Sequence, residues 1–599
     1  MIRSGDQGQN ASFTPEYPVS EPPRNPDAMM DAVLRLAGEA RRQGQLGRAR
    51  QVCYEAVTRI WANHRGTVGL PIASAPPAHS SAVTDESGLA AVEALVSACS
   101  GRDVVWITHL VGNTYTHMLP SDLRSETGAF YTPPALVALA IEQCLVHGLD
   151  LTSARCIDPA AGAGAFLVSL ATRMADTMSV ADDAFVVRAI GSRLHGLELD
   201  PFAAWMANVF IELAVIDQVR SSGRRLKPVV IAENSLEANA GHGYDLVIGN
   251  PPFGRVRLSD RMRTRYADGL YGHANLYGLF MHAAVEMTVN GGMIALITPT
   301  SYLGGQYFTN LRKLMADRAP PVAFELVTQR RDVFRDVLQE TAISFFRKGG
   351  QVGKVAVSLA TVDVTGVVSG RVGEVQLPSE PGAPWHLPRT IGGVFLAERM
   401  SRMSARLAEW GYRVKTGPLV WNRHKTEIAA AADGQGLPII WAEAVRSDGL
   451  VCLEYAKRDD KARIAPDDRN AWLVTNQPCV LLQRTTAKEQ SRRLVAGQLH
   501  QAFLDRYPRG VVVENHVNML VPTRAEPAVP IEVLAAFINT SAADQVYRCI
   551  SGSVAVSAYE LENMPLPSPA SMTAFADAVM SGDIALMETE ARLLYGEQP

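Results

Sequence analysis

One short loop of the chain carries residue types that could hold a planar amine. Residues 244–253 read YDLVIGNPPF, an apolar run typical of a buried strand followed by a polar turn. Asn250 offers an amide oxygen, and the rings of Pro251 and Pro252 each fix φ at about −65° and lack an N–H, so the turn is stiff. The backbone oxygen of Pro251 can converge with the Asn250 oxygen on one NH₂ group, while Phe253 supplies a flat apolar face. This arrangement suits an exocyclic amine on a planar ring, such as N6 of adenine.

Two hydrogen-bond acceptors on one amine change its reactivity. The lone pair of such an amine is delocalised into the ring, and a pull on both N–H bonds localises it on a more tetrahedral nitrogen. NPPF resembles the (D/N/S)PP(Y/F/W) motif of S-adenosylmethionine-dependent methyltransferases that act on amino groups, especially the N6-adenine DNA methyltransferases. Glutamine-amide and ribosomal guanine methyltransferases also use NPP loops, and Asn-Pro-Pro after a strand can be a plain turn. The four residues leave these interpretations open.

Composition sets the broad class of protein. The chain has 599 residues, 47% hydrophobic and 20% charged, which favours three or four domains with ordinary cores. It has no apolar run of about 18 residues and no signal-peptide centre, so we expect a cytoplasmic protein without a membrane partner. The seven scattered cysteines form no CxxC pair, and we expect no metal site. With a net charge of −4, affinity for nucleic acid must come from local patches.

A loop that precedes the first predicted strand resembles a cofactor-covering motif. Residues 126–134 read ETGAFYTPP, similar to the Phe/Tyr-Thr-Pro loop of the gamma-type adenine methyltransferases. In that family the loop packs over the methionine end of the cofactor, and the resemblance implies this role for Phe130, Tyr131 and Thr132. A plain helix cap with a proline start is the alternative.

A glycine-rich turn follows about twenty residues later. Residues 155–166 read RCIDPAAGAGAF, and Gly162 and Gly164 let the backbone approach a ligand at the carboxyl end of a strand. The sequence resembles the DPxxGxGxF cofactor motif, which implies that Asp158 holds the amino group of the methionine moiety and that Ala160 lies beside it. Nothing here resembles a phosphate-binding GxxxxGKS loop.

The next two predicted strands end in polar residues. Glu198 closes the second strand and can accept both ribose hydroxyls, and Leu199 can lie against the cofactor adenine. A solvated strand-end acid is the alternative for Glu198. Asn234 and Ser235 follow the third strand, where many family members place an Asp that binds N6 of the cofactor adenine. Asn234 could use its side-chain oxygen instead.

The order of these motifs predicts the fold. Successive βα units indicate an α/β, Rossmann-like methyltransferase domain with a mostly parallel seven-stranded sheet and helices on both faces. We predict a disordered tail at 1–27, a helical region at 28–119, the S-adenosylmethionine-dependent domain at 120–350, a connecting segment at 351–389 and a mixed α+β target-recognition domain at 390–599.

Basic and aromatic residues near the NPPF loop indicate contacts with DNA. Five arginines lie within eleven residues, and we predict phosphate contacts from four of them: Arg255, Arg257, Arg261 and Arg263. A solvated basic loop is the alternative. In the family a second aromatic stacks on the base opposite the Phe of NPPF. Phe334 is the best positional match, Phe324 is a second candidate, and a core role for Phe334 is equally compatible.

The C-terminal part contains a local excess of positive charge. Residues 401–524 hold 19 Lys and Arg against 13 Asp and Glu, which predicts a DNA footprint. Arg423 and Lys425 form one basic group, and Arg484, Arg492 and Arg493 form another. Their arrangement, with SGSVAVSAYELENMPLP at 551–567, resembles the target-recognition domains of TaqI-like and Eco57I-like methyltransferases.

The sequence therefore predicts a site-specific adenine-N6 DNA methyltransferase of a restriction-modification or phage-defence system. Its cofactor would be S-adenosylmethionine, and its partners double-stranded DNA and, as a candidate, a separately encoded restriction endonuclease. The same loop acting on RNA or on a protein glutamine amide is one alternative, and a non-catalytic DNA-recognition subunit is another.

Overall fold

The computed structural model describes most of the residues that follow the N-terminal region. The described residues are 46–77, 83–120, 132–238, 241, 243–327, 340–363, 366–390, 393–431, 436–455, 461–465, 468–486, 490–550 and 555–596. The predicted disordered tail lies outside them. The chain divides into two compact units, the first running through Pro299 and resuming at Asn310–Arg371, the second comprising Thr300–Thr309 and Val372–Pro599.

The first unit is built on a mixed sheet. Its strands, with those of a small ribbon, are β1 (Cys156–Asp158), β2 (Leu194–Glu198), β3 (Val230–Ala232), β4 (Tyr244–Gly249), β5 (Arg255–Val256), β6 (Ala274–Asn275), β7 (Thr288–Pro299), β8 (Pro321–Val327), β9 (Thr341–Arg347), β10 (Lys354–Asp363) and β11 (Gly366–Gln376). β5 and β6 pair with each other, and the rest form one sheet in the order β11-β10-β8-β9-β7-β4-β1-β2-β3. β1 lies parallel to β2 and β4, with Cys156 opposite Leu194 and Leu246, and β9 runs antiparallel to both of its neighbours.

The predicted α/β class is confirmed, but the described part of the sheet is mixed and has nine strands instead of seven. The extra strands are β10 and β11, which lie within the predicted connecting segment at 351–389. β10 pairs in parallel with β8 and buries Val355, Val357 and Val362, so it extends the sheet with further apolar side chains.

The eight described helices that precede β3 share one core with the sheet. The helices up to residue 318 are α1 (Leu46–Asn63), α2 (Glu86–Cys99), α3 (Val104–Met118), α4 (Pro134–Val146), α5 (Ala165–Thr177), α6 (Asp183–Arg193), α7 (Pro201–Ala214), α8 (Ile216–Ser222), α9 (Asp260–Arg265), α10 (Leu276–Met287), α11 (Ser301–Gly304) and α12 (Thr309–Arg318). Val52 of α1, Val111 of α3, Phe202 of α7 and Leu246 of β4 belong to a single hydrophobic cluster. The described residues of the region predicted as helical at 28–119 include α1, α2 and α3, and they belong to the first unit.

The second unit combines two small sheets with helices. Its remaining strands are β12 (Tyr412–Thr416), β13 (Leu437–Ile440), β14 (Arg463–Ile464), β15 (Val474–Thr475), β16 (Cys479–Gln483), β17 (Ala496–Leu499), β18 (Val511–Val513) and β19 (Val517–Pro522). They form sheets of order β12-β19-β16-β17 and β14-β13-β18-β15. The helices are α13 (Gly393–Met400), α14 (Leu407–Trp410), α15 (Lys425–Ala429), α16 (Gln501–Leu504), α17 (Ile531–Ile538), α18 (Ser541–Ile550), α19 (Ala558–Glu562), α20 (Thr573–Ser581) and α21 (Ile584–Leu594).

Within the described ranges no single helix is both long and apolar enough to cross a membrane. The bent pair α7 and α8 reaches that length and composition only together, with a 68° angle between the two helices. Most side chains of α7 are buried in the core of the first unit.

Candidate functional site

The carboxyl ends of the central parallel strands border one cavity of about 670 Å³ in the first unit. Asp158, Glu198 and Asn234 line it, each at or just beyond the end of β1, β2 or β3, together with Asn250 after β4. Parallel strands bring their carboxyl ends to the same edge of a sheet, which explains how residues almost a hundred positions apart meet. The structure thus brings most of the predicted cofactor residues, with Asn250 and Pro252 of the predicted catalytic loop, to a single space. Gly164, Pro251 and Phe253 are not among the residues that line it.

The glycine turn after β1 encloses a buried carboxylate. Asp158 is 1% exposed, and its Oδ1 accepts a hydrogen bond of 2.9 Å from the backbone N–H of Ala160. Gly162 and Gly164 have φ of 53° and 93°, a left-handed backbone that glycine adopts without strain. Burial raises the pKa of Asp158 to about 8, and the charge of Glu198 adds to the rise. The cavity therefore holds an acid that gains from a cationic ligand.

Gly249, the last residue of β4, allows two strand ends to touch. A Cβ atom on Gly249 would lie 2.5 Å from Oδ1 of Asp158, well inside the contact distance of real Cβ atoms. Asp158 is itself fixed by Ala160, so the carboxylate has little room to retreat. The NPPF loop consequently begins directly beside the buried acid.

The carboxylate of Glu198 is fixed by two backbone donors. The N–H of Gly162 donates to Oε2 over 2.8 Å, and the N–H of Asp200 donates to Oε1 over 2.9 Å. Burial raises the pKa of Glu198. Each carboxylate oxygen retains lone pairs for a further hydroxyl donor, and the side chain of Leu199 beside it is 62% exposed on the cavity wall.

The residues after β3 are partly used within the protein. Asn234 lines the cavity, while its Oδ1 accepts from the N–H of Leu236 over 3.1 Å and its Nδ2 donates to Glu237 over 3.3 Å. The hydroxyl of Ser235, 4% exposed, donates to the backbone oxygen of Pro159. Ser235 therefore ties the loop after β3 to the glycine turn as well as lining the cavity.

The side chain of Asn250 is oriented by Thr132. Nδ2 of Asn250 donates to Oγ1 of Thr132 over 3.1 Å, and an amide held by its NH₂ group presents its oxygen on the other side. Thr132 is 4% exposed, and the ring of His109 on α3 hydrogen-bonds its backbone. Burial lowers the pKa of His109 to about 4, so this ring is neutral near pH 7.

The predicted aromatic residues have different outcomes. Phe253 is 9% exposed and meets Tyr277 edge to face, with centroids 6.3 Å apart. Phe324 is fully buried in β8 and packs edge to face on Phe346, so it is a core residue and its candidacy as a stacking residue is wrong. Three other predicted residues lie outside the described part of the chain: Phe130, Tyr131 and Phe334.

The predicted arginines beside the NPPF loop are at the surface. All four are exposed: Arg255, Arg257, Arg261 and Arg263. Arg257 also lines the cavity. The helix α9, capped by the hydroxyl of Ser259, carries the last two of them, so the group forms an exposed basic stretch that reaches the cavity at Arg257.

In the second unit the predicted basic residues separate into surface and core. Arg423 and Lys425 are exposed, and Nζ of Lys425 lies 5.7 Å from the ring centroid of Trp421. Arg484 is half-buried and donates to the backbone oxygen of Asn515 over 3.0 Å. Arg493 is only 1% exposed. Its place in a DNA-contacting group is therefore wrong, because its guanidinium is enclosed by its own unit.

Sequence analysis missed part of the cavity wall. Four further residues also line it: Arg50 of α1, Tyr115 and Thr116 of α3, and Leu119 just after that helix. They approach residues about 85 to 150 positions later in the chain, a distance over which no local pattern gives a signal. Within the described ranges no group of three or more His, Cys, Asp or Glu side chains could hold a metal ion.

Known proteins share this sequence pattern and fold. A family model described as Eco57I restriction-modification methylase matches residues 204–325. The type II methyltransferase M.BsuBI of Bacillus subtilis is 26% identical over 465 residues, which cover 74% of this chain and 88% of that protein. M.PstI of Providencia stuartii, also a type II methyltransferase, is 25% identical over 362 residues, covering 59% and 70%.

A solved structure extends the likeness to the fold. The type IIL restriction-modification enzyme MmeI, solved in complex with DNA, has a TM-score of 0.52 to this chain at 12% identity, covering 92% of this chain and 88% of that one. At this identity the likeness to MmeI concerns the fold alone. The predicted resemblance to the Eco57I-like restriction-modification methylases is confirmed by the matching family model and by these two relatives.

Proposed function

We propose that the chain is a site-specific DNA methyltransferase that moves a methyl group from S-adenosylmethionine to N6 of an adenine rotated out of the duplex. One observation carries the proposal: a single cavity brings the buried carboxylate of Asp158 and the ordered carboxylate of Glu198 to the amide of Asn250. The first two groups suit a cationic, ribose-containing cofactor, and the third suits an amine.

The cavity wall fits the parts of S-adenosylmethionine. Asp158 would accept the ammonium group of the methionine end, because a buried carboxylate with a raised pKa is stabilised by a cation. Glu198 would accept the ribose hydroxyls, the exposed side chain of Leu199 would cover one face of the adenine, and Asn234 would meet its amine. When bound, this cofactor supplies an electrophilic methyl group on a sulfonium.

The NPPF loop would hold the acceptor amine. The oxygen of Asn250, directed by the contact with Thr132, and the backbone oxygen of Pro251 accept from the two N–H bonds of the adenine amine. Phe253 would stack on the base. The amine needs no base before it attacks, since its proton leaves once the nitrogen is cationic. Positioning of two bound reactants would account for much of the rate.

DNA would be held by positive side chains on both units. The exposed arginines at 255–263, of which Arg257 lines the cavity, would grip phosphates around the extruded base. Arg423, Lys425 and Arg484 of the second unit would contact the duplex and contribute to recognition of its sequence. A nuclease of the same specificity, encoded separately, is the candidate partner.

Labelled S-adenosylmethionine tests the proposal. Incubation with bacterial genomic DNA should place label in DNA, and nucleoside analysis by mass spectrometry should find it at N6 of adenine. The Asn250→Ala variant should lose transfer by at least about a hundredfold while it still binds cofactor. As a matched control, Asn563→Ala removes an amide that hydrogen-bonds Tyr559 in the second unit and should transfer normally.

Other destinations of the label overturn the proposal in distinct ways. Label in RNA or in a glutamine of a protein would identify a different substrate class, and label in cytosine would remove the adenine assignment. DNA binding without any label would identify a recognition subunit. Undiminished transfer by Asn250→Ala would refute the role of the loop.

A further inference from the structure

Two helices outside the sheet reach a residue at the end of β2. Nη2 of Arg50, on α1, donates to Oδ1 of Asp200 over 3.0 Å, and the hydroxyl of Tyr115, on α3, donates to Oδ2 over 2.5 Å. Asp200 also caps α7 through a 3.0 Å bond from the N–H of Phe202 to Oδ1. The carboxylate of Asp200 is thus held from three helices at once.

Because Asp200 is held in place, its backbone N–H can fix the position of the Glu198 carboxylate. This N–H donates to Oε1 of Glu198, and the N–H of Gly162 holds the other oxygen. The position of the first donor depends on the short segment 198–200, which α1 and α3 anchor through the Asp200 side chain. The orientation of the Glu198 carboxylate is therefore tied to side chains that lie far earlier in the sequence.

The hydroxyl of Tyr115 is a fixed donor. Tyr115 is 2% exposed, and its ring packs against Phe202 with centroids 5.1 Å apart. Burial, with the adjacent charge of Asp200, raises the pKa of Tyr115, so the hydroxyl keeps its proton. Both Tyr115 and Arg50 also border the cavity, beside the predicted cofactor residues.

We propose that Arg50 and Tyr115 are positioning residues for recognition of the cofactor ribose, acting through Asp200 on Glu198. The N-terminal helices are then a working part of the methyl-donor site. This inference rests on the proposed function, because it requires that the cavity bind a ribose-containing cofactor. Without the two donors, the 198–200 segment loses its anchor and Glu198 loses its fixed geometry toward the hydroxyls.

Calorimetric titration of the full chain with S-adenosylhomocysteine and with its 2′-deoxyribose analogue tests the inference. The wild type should prefer the ribose form by about tenfold, the worth of a hydrogen bond to a charged group. Tyr115→Phe and Arg50→Met should each reduce this preference several-fold. Arg50→Lys should retain most of it, because the contact with Asp200 uses a single nitrogen.

Matched controls separate positioning from general stability. Tyr412→Phe removes a buried hydroxyl bonded to Val529 in the second unit, and Arg59→Met removes an ion pair with Glu55 on α1 itself. Neither should alter the preference. If Tyr115→Phe fails to fold, the ribose preferences of Arg50→Met and Arg50→Lys test the positioning role on their own.

The outcomes distinguish this inference from the proposed function. If the wild type binds neither ligand, both the positioning role and the proposed function are wrong. If it binds with a clear ribose preference that Tyr115→Phe and Arg50→Met leave unchanged, or if both ligands weaken equally, the positioning role is wrong and the cofactor site stands.

Discussion

Asp158 is the residue whose chemistry is most affected by its surroundings. Its pKa of about 8 in the cofactor-free cavity means that a neutral acid must lose a proton before it can pair with an ammonium group. We expect affinity for S-adenosylmethionine to rise as pH increases from about 6 to 8, by up to about tenfold per unit. Above about 8 the amino group of the cofactor loses its own proton and the gain ends. Titration at several pH values measures this.

Two variants test the role of Asp158. Asp158→Asn should bind S-adenosylmethionine at least about tenfold more weakly at pH 8. Its affinity should also no longer rise between about pH 6 and pH 8. Glu233→Gln changes an exposed acid on the same cavity wall, and its affinity should rise with pH as in the wild type. An unchanged profile in Asp158→Asn would assign the pH dependence to another group.

The same pKa sets a stability trend of opposite sign. In the unfolded chain Asp158 ionises near its ordinary pKa of 3.8, whereas in the folded, cofactor-free protein it keeps its proton up to about 8. The folded state therefore loses stability as pH rises between these values. Thermal melting should show Asp158→Asn gaining on the wild type across this window, with no further gain above about pH 8.

At the scale of single residues the sequence was informative wherever a backbone constraint was local. Gly162 and Gly164 sit in the turn that their residue type predicted, and Asp158 and Glu198 lie at strand ends on one cavity. The contact of Asn250 with Thr132 and the contacts of Arg50 with Asp200 depend on tertiary structure. Residue spacing carries no information about such pairs.

At the scale of elements, two adjacent arginines before β17 show why a count of charges misleads. Arg492 is partly exposed and lies 3.5 Å from Glu588, while the guanidinium of Arg493 is buried, with Nε bonded to Thr486 over 3.1 Å and Cζ 5.8 Å from the ring of Tyr547. Sequence analysis treated both as surface charge. Only the packing of α18 against this segment distinguishes them.

Removal of each side chain should have a different effect. Arg493→Ala should destabilise the chain by about 3 kcal/mol or more, because it leaves buried polar partners unsatisfied. Arg492→Ala should change stability by no more than about 1 kcal/mol. Denaturant unfolding followed by fluorescence gives both values, and equal losses would contradict the assignment of Arg493 to the core.

Strands β10 and β11 show a second limit of element prediction. The alternation at 354–363 is strand-like, but glycines and a proline-rich stretch nearby favoured a connecting segment. Residues 354–363 form a strand because they pair with β8, and no local sequence pattern reveals that this neighbouring strand is available.

At the scale of the whole molecule, positive charge is concentrated on a chain whose total is −4. Binding to DNA should therefore weaken steeply with salt. In a plot of the logarithm of the binding constant against the logarithm of the salt concentration, each contacted phosphate should add about 0.9 to the steepness of the slope. The pairs Arg261→Ala/Arg263→Ala and Arg423→Ala/Lys425→Ala should each lower the slope by up to about two. The variant that combines the two pairs should show the sum of the reductions, because each phosphate contact contributes its own share to the slope.

Fluorescence anisotropy on duplex DNA across a salt series measures these slopes. Arg188→Ala with Arg224→Ala removes two exposed arginines that do not border the cavity, and it should leave the slope unchanged. A slope that falls equally in this control would mean that net charge, and not these particular side chains, governs binding.

The absent side chain at position 249 limits how such a protein can diversify. Even a methyl group there would press on Oδ1 of Asp158, which the N–H of Ala160 already holds in place. Under the proposed function, the residues for the methyl donor and those for the acceptor base would meet here without spare volume. We therefore expect a change of target sequence to be tolerated in the second unit and not at position 249.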